Sequence, residues 1–142
     1  MRAADLDIPA GFEHWAGDPA EDHIGPFFFR FTANGCETAF RPRPHNCNSG
    51  GNVHGGVLMS FIDYTLCIAA IGDSGEHCVT VSLNSEFVDG VPPGALVLGE
   101  GEVVRRTGSM VFTRGKLSVD GRPVLIANAV IKRLRPQPKP DR

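Results

Sequence analysis

The chain has no run approaching the roughly 20 apolar residues that a helix needs to cross a bilayer. Its opening stretch, MRAADLDIPAGFEHWAGDPAEDH, lacks the cationic start and apolar core of a secretory signal. These two absences lead to the expectation of a cytoplasmic protein with no membrane partner. A basic face is missing too: 14 Lys+Arg stand against 16 Asp+Glu for a formal net charge of -2, and the one dense basic cluster is the terminal KRLRPQPKPDR. Nucleic-acid binding draws on such a face to displace counterions, so no nucleic-acid partner is expected. Paired CxxC and HExxH patterns are absent. His45, Cys47 and His54, with Cys36 or Cys78 as a fourth ligand, have the spacing H-x-C-x6-H, which lacks the pairing that makes a zinc site legible, so no metal is expected. No GKS, no GKT and no GxGxxG after a strand accompany the glycines between Gly50 and Gly56, which argues against a nucleotide phosphate loop. Four cysteines (Cys36, Cys47, Cys67, Cys78) without an export signal are expected to be reduced thiols.

At 142 residues the chain suits one domain with one core. No internal repeat and no second domain are apparent. Residues 1–25 form a lead in which Ile8, Phe12, Trp15 and Ile24 are apolar anchors among acids, Pro and Gly. The body runs from 26 to 134. PFFFRFT (26–32) and CETAFR (36–41) read as strands joined through Ala33, Asn34 and Gly35, a hairpin signal. RPRPHNCNSGGN (41–52) must be loop. After a helical stretch, residues 78–88, 95–106, 109–119 and 123–134 read as four strands in a meander, with DGVPPG, TG and DG as turns. Pro136, Pro138 and Pro140 exclude helix or central strand from a tail over 135–142, expected to be disordered. Two strands, one long helix and four strands make an α+β arrangement, a single antiparallel sheet of about six strands wrapped around the helix.

The helix carries the chemistry. From Gly55 to Ile71 the residues Val57, Leu58, Phe61, Ile62, Leu66, Ala69 and Ala70 recur at helical spacing and cover an arc of roughly 220°. Asp63 falls at about 240° on the same wheel, next to Met59 and Ala70, at the margin of that arc. Its carboxylate is therefore expected to look into a crevice. A helix beginning at Gly55 or Gly56 presents free N–H groups and the positive end of its dipole, and glycines let a substrate oxygen approach them. Such donors polarise a carbonyl and hold the oxyanion formed on attack, with Asn48, Asn52 and the His54 side chain as further donors. Asp63 is about 12 Å along the axis from Gly55, too far for both to grip one carbonyl within a subunit. The uncovered side of the helix and an open sheet edge call for a partner, most simply a second copy, so that Asp63 of one chain meets Gly55 of the other. One carboxylate suits thioester hydrolysis better than amide hydrolysis, because a thiol with a reference pKa near 8.5 leaves without strong acid assistance. Thr80, on the strand after the helix, is placed to orient the water. Arg105, Arg106, Arg133 and Arg135 near the strand ends are available for phosphate groups, for which Arg forks are suited.

The combination HNCNSGGNVHGGVLMSFIDYTLCIAA resembles the hot-dog-fold acyl-CoA thioesterases, specifically the group related to the phenylacetate-degradation (PaaI-like) thioesterase. There an Asn lies six residues before a His-Gly-Gly motif and an acid nine after the His; here these are Asn48, His54, Gly55 and Asp63. The likeness extends over about residues 8–134, including an IPAGFEHW-like lead. The resemblance implies a hot-dog fold and a thioester hydrolase in which the Gly55 amide polarises the carbonyl. Asn48 and His54 would position the substrate, and Asp63 of the partner subunit would activate water or attack directly. Thr80 falls where relatives often carry a Ser or Thr that holds the water. Tyr64 stands where relatives often carry a small residue, which implies a differently shaped acyl pocket, with Gly56, Met59 and Tyr64 on the substrate side. The implied assembly is a dimer or a tetramer of two dimers. The implied substrate is a small-to-medium or aromatic acyl-CoA, with no cofactor beyond the coenzyme A of the substrate.

Two other functions fit parts of this pattern. A hydratase or dehydratase on the same fold needs an acid/base pair at the β-carbon, and no second acid lies near His54 in sequence. A non-catalytic acyl-CoA binding or sensing module would have little use for Asp63.

Overall fold

The computed structural model describes residues 2–135, so the tail expected over 135–142 lies outside the described residues apart from Arg135. Seven strands and two α-helices succeed one another: β1 (Glu13–His14), α1 (Pro19–Ile24), β2 (Phe28–Thr32), β3 (Gly35–Phe40), α2 (Gly55–Ile71), β4 (His77–Phe87), β5 (Val97–Thr107), β6 (Met110–Val119) and β7 (Arg122–Leu134). The strands form one antiparallel sheet in the order β1-β2-β3-β5-β6-β7-β4. Six are the strands read from the sequence, and the seventh is the two-residue β1 in the lead. The expected four-strand meander needs one correction. β5, β6 and β7 are consecutive neighbours, but β4 pairs with β7 and forms the far edge of the sheet. Short turns can join β5 to β6 and β6 to β7, whereas the longer 88–96 connection carries the chain across the sheet.

The concave face of the sheet holds α2. Leu58, Phe61, Ile62, Leu66, Ala69 and Ala70 are buried against Phe27, Phe40, Val97, Leu117, Leu125 and Ile131. Each large side chain so buried contributes roughly 1.5–3 kcal/mol of transfer free energy before conformational entropy is counted. The helix lies unusually close to the sheet at Gly101, where a Cβ would stand 3.1 Å from both the Ala69 Cβ and the Thr65 carbonyl oxygen. Beside it the buried Thr38 and Thr65 hydroxyls are hydrogen-bonded at 2.7 Å, and Thr65 also donates to Phe61 O at 2.8 Å, so two polar groups are satisfied inside the core.

The lead drapes over the opposite face. Strand alternation turns Phe28 and Ala39 away from α2, and they pack with Ile8, Leu6 and Phe12 in a second, smaller cluster. The Arg41 guanidinium ties the lead down through Leu6 O (3.0 Å), Asp7 O (2.7 Å) and Gly94 O (2.8 Å). Further along, Asp18 caps α1 by accepting from the Glu21 N–H at 3.0 Å, and Pro19 starts the helix. This short turn delivers the Glu21 side chain to the side of α2 that carries Asp63.

Candidate active site

The N-terminus of α2 is built by the preceding loop. His54 is its cap, in an extended conformation (φ -61, ψ 134), and its Nδ1 accepts from the Gly56 N–H at 2.9 Å. That bond requires the His54 proton, when the ring is neutral, to sit on Nε2. The Gly55 N–H, at the first helical position, has no partner among the described residues and points out of the helix end. The ring of Phe87 packs beside Gly55, 3.2 Å from where a Gly55 Cβ would be. His54 is itself anchored by its own N–H to Asn46 O (2.8 Å). Asn46 is buried, with its side chain accepting from Arg43 N–H (2.9 Å) and donating to Ile24 O (2.8 Å). Asn46 thus organises the loop, a role the spacing to the His-Gly-Gly motif did not reveal because that spacing points to Asn48. Asn48 itself is exposed, and its Oδ1 accepts from the N–H of Gly50 (2.9 Å) and Asn52 (3.3 Å), shaping the turn.

Two turns further along α2, half-buried Asp63 lines a cleft of about 400 Å³ together with Thr80, Cys67, Cys78, Tyr64, Glu21 and Trp15. The Thr80 hydroxyl donates to Asp63 Oδ1 at 2.5 Å. Cys67, one turn after Asp63, places its Sγ 3.4 Å from Thr80 Oγ1 and 3.8 Å from Asp63 Oδ1. A β-bulge in β4 makes this arrangement compatible with Phe87 at the other end of the strand. The pairing with β7 skips from Thr80↔Ile131 to Ser82↔Val130, leaving Val81 as the extra residue. In a regular strand, residues 80 and 87 would point to opposite faces. The bulge shifts the parity, so both face α2.

Glu21 is the second carboxyl of the cleft. Burial, reinforced by the negative charges of Asp18, Asp63 and Asp22, raises its pKa from the ordinary 4.5 to about 7. Tyr64 is buried and packs on Phe27 at 5.2 Å between ring centroids. Its hydroxyl has no hydrogen-bond partner among the described residues, and burial, then the Glu21 charge, hold its pKa above the usual range. Among the remaining expected substrate-side residues, Gly56 is exposed and Met59 half-buried on α2. Arg105 is exposed on β5, whereas Arg106 donates to Ala70 O at 2.7 Å and closes the C-terminal end of α2. Arg133 donates to Gly108 O at 2.9 Å and lies 3.6 Å from Glu76. Cys47 points its thiol at Arg43 O (3.8 Å), and no group of three His, Cys, Asp or Glu placed to hold a metal ion occurs among the described residues. A larger hollow of about 690 Å³ lies on the face of the sheet turned away from α2. Its walls carry the Arg114–Glu102 and Lys116–Glu100 ion pairs, and it holds none of the residues above.

A helix-end donor and a carboxylate hydrogen-bonded to a hydroxyl thus lie on one helix under the single sheet of a hot-dog fold. The chain belongs to the thioesterase superfamily, whose family model matches residues 50–126, the segment from the Gly-rich loop into the first residues of β7. A candidate esterase of Pseudomonas aeruginosa, PA0474, is 30% identical over 129 residues, spanning 88% of this chain and 96% of that protein. Among solved structures, a candidate thioesterase from Ralstonia eutropha, described as a phenylacetic acid degradation-related protein, superposes with a TM-score of 0.74. It is 26% identical and covers 82% of this chain and 92% of its own. The PaaI protein of the E. coli phenylacetic acid degradation operon shares the fold, with a TM-score of 0.75, 14% identity and coverage of 83% and 86%. No helix among the described residues is long and apolar enough to cross a membrane.

Proposed function

We propose that this protein is an acyl-CoA thioesterase that hydrolyses a small-to-medium or aromatic acyl-CoA to the free acid and coenzyme A, at a site shared between two copies of the chain. The observation that carries this reading is the placement of the unpartnered Gly55 N–H and the Thr80-bound Asp63 carboxylate on one helix. They are about 12 Å apart along its axis, beside the β4 edge of the sheet, whose outer side pairs with no strand among the described residues. β4 is 11 residues long and exposes Val79, Val81 and Phe87. An unpaired edge of this length and composition invites a second strand. An antiparallel pairing of two β4 strands about a two-fold axis would run the two α2 helices in opposite directions. Asp63 of each chain would then come toward Gly55 of the other.

In this site the Gly55 N–H polarises the thioester carbonyl and holds the oxyanion, aided by the dipole of α2. Asp63, oriented by Thr80, attacks or deprotonates the attacking water, and the coenzyme A thiolate leaves. The lead contributes Trp15, Asp18 and Glu21 to the wall of the cleft and the 26–134 body contributes the rest. The enzyme is proposed to act in the cytoplasm as a dimer or a pair of dimers, with no resident cofactor.

The test is free-thiol release from short, medium, long and aryl acyl-CoAs by wild type and Asp63→Asn side by side. Release by wild type, lost by several decades in Asp63→Asn with the fold intact, is the expected result. Near-normal turnover by the variant would remove Asp63 from the mechanism. Tight acyl-CoA binding with no release from any substrate would instead make the protein a binding module.

A further inference from the structure

We propose that the cleft beside Asp63 is an acyl subsite for a cationic acyl group, in which the Glu21 carboxylate and the Tyr64 hydroxyl receive a primary ammonium at the far end of the acyl chain. That the amine is carried on a thioester rests on the thioesterase reading. Tyr64 follows Asp63 on α2 and lines the same cleft. It is 3% exposed, and its hydroxyl has no hydrogen-bond partner among the described residues. A Tyr O–H out of water normally finds a partner, because leaving it unpaired forfeits its hydration. Packing does not call for the oxygen. The ring is held by Phe27 at 5.2 Å and Phe61 at 6.4 Å between centroids, contacts that a Phe would make as well.

The charge of the cleft defines the missing partner. Asp18, Glu21 and Asp63 line it, and none of them is in an ion pair among the described residues. No Lys or Arg lines it, and its one histidine, His77, is exposed at the start of β4. The fourth carboxylate, Glu76, has Arg133 at 3.6 Å. Glu21 is thus half-buried among like charges with no cation to offset them, and burial, then Asp18, Asp63 and Asp22, push its pKa up to about 7. An ammonium supplies the positive charge that the cleft lacks and carries three N–H donors, one for Glu21 and one for the Tyr64 oxygen. A hydroxyl would bring a donor without the charge, and a methyl neither.

The same charges decide which end of the substrate enters. Coenzyme A is anionic through its phosphates, which unpaired carboxylates repel, so the acyl end takes the cleft. Trp15, Ile68, Ile71 and Val79 supply apolar wall for the methylenes between the carbonyl at Asp63 and the ammonium.

The test compares acyl-CoAs that differ only in the terminal group: β-alanyl-, 3-hydroxypropionyl- and butyryl-CoA, and at greater length 6-aminohexanoyl-, 6-hydroxyhexanoyl- and heptanoyl-CoA. Thiol release is followed near neutral pH, where an alkylamine is protonated. Wild type should favour the ammonium over its methyl isostere by about 10- to 100-fold in kcat/KM at one of the two lengths, with the hydroxyl between them. In Glu21→Gln, which keeps the size and removes the charge, that ratio should fall about tenfold; a ratio taken within one variant cancels any general loss of rate. Tyr64→Phe should lower the ratio severalfold and melt no lower than wild type, because the deleted hydroxyl has no partner in the protein. Equal rates at both lengths, or a preference for the methyl or hydroxyl isostere, would overturn the cationic subsite. An unchanged ratio in Glu21→Gln would remove Glu21 from it, and a Tyr64→Phe protein that melts several degrees lower would show the hydroxyl to be structurally engaged and remove Tyr64. If no acyl-CoA releases thiol, the thioesterase reading fails alone. The same isosteres are then compared by calorimetric dissociation constants, and equal affinity for the ammonium and methyl thioesters overturns the subsite.

Discussion

Thr80→Val removes one hydroxyl from the site and leaves the shape of the side chain nearly unchanged. Thr80 is exposed and lies on a strand, where Val is at least as favourable, so stability should change by no more than the worth of the hydrogen bond lost. What is lost is the 2.5 Å hydrogen bond to Asp63 Oδ1. Hydrogen bonds to charged groups are worth about 1.5–3 kcal/mol, and because Asp63 is only half-buried the lower end applies, about 1.5–2 kcal/mol. If Thr80 orients the carboxylate for attack, that energy appears in the barrier and the turnover number falls about 10- to 30-fold. KM should barely move, because the hydroxyl acts on the acid and not on the bound substrate. The assay is continuous thiol release with a thiol-reactive dye, with kcat and KM fitted separately. Thr80→Ser, which keeps the donor, should recover most of the rate. A kcat for Thr80→Val within twofold of wild type, with unchanged secondary structure, would refute the claim that Thr80 positions Asp63.

Gly55→Pro deletes the proposed oxyanion donor at a position where Pro is tolerated. It is the first helical residue, and His54 before it already has the extended backbone that precedes proline. Thiol release should fall about 100- to 1,000-fold with helix content unchanged in circular dichroism. The Glu21 carboxyl titrates at about 7 in the folded protein against an ordinary 4.5, so its contribution to stability is complete below about 4.5 and is lost as pH rises through about 7. That rise has a ceiling of about 3.4 kcal/mol, which solvent screening at this half-exposed site reduces to about 1 kcal/mol. Thermal melts should therefore show wild type losing about 3 °C between pH 5 and pH 8 relative to Glu21→Gln; parallel curves for the two proteins would contradict it.

The helix was legible to within one residue. A loop dense in Pro, Asn and Gly, then apolar residues at helical spacing up to Gly72, encode Gly55–Ile71 directly, and Asp63 at the edge of the apolar arc lies in a cleft. The hairpin at Ala33–Asn34 and the turns between β5, β6 and β7 were legible because glycine and asparagine mark them locally. The place of β4 was not. Strand order beyond adjacent hairpins depends on long-range packing, and the Thr80–Val81–Ser82 stretch carries no glycine to announce its bulge. For the same reason Phe87 could not be placed beside Gly55 by counting residues. Glu21 was missed because it belongs to a lead with no periodicity, and its meaning arises only where α1 brings it to the cleft. Arg106, read as a phosphate ligand, is engaged by the Ala70 carbonyl, an end-of-helix contact that its exposed strand position does not disclose.

The measurement that tests the central claim most directly mixes two inactive variants. Asp63→Asn and Gly55→Pro chains, unfolded together in equal amounts and refolded, should form half of their dimers as mixed pairs. If each site takes Asp63 from one chain and Gly55 from the other, every mixed dimer holds one intact site, and thiol release should return to about one quarter of the wild-type rate. If both groups serve the same site from a single chain, no mixed dimer holds an intact site. Activity that stays at the level of the separate variants, with mixed dimers demonstrated by mass, would contradict the shared site.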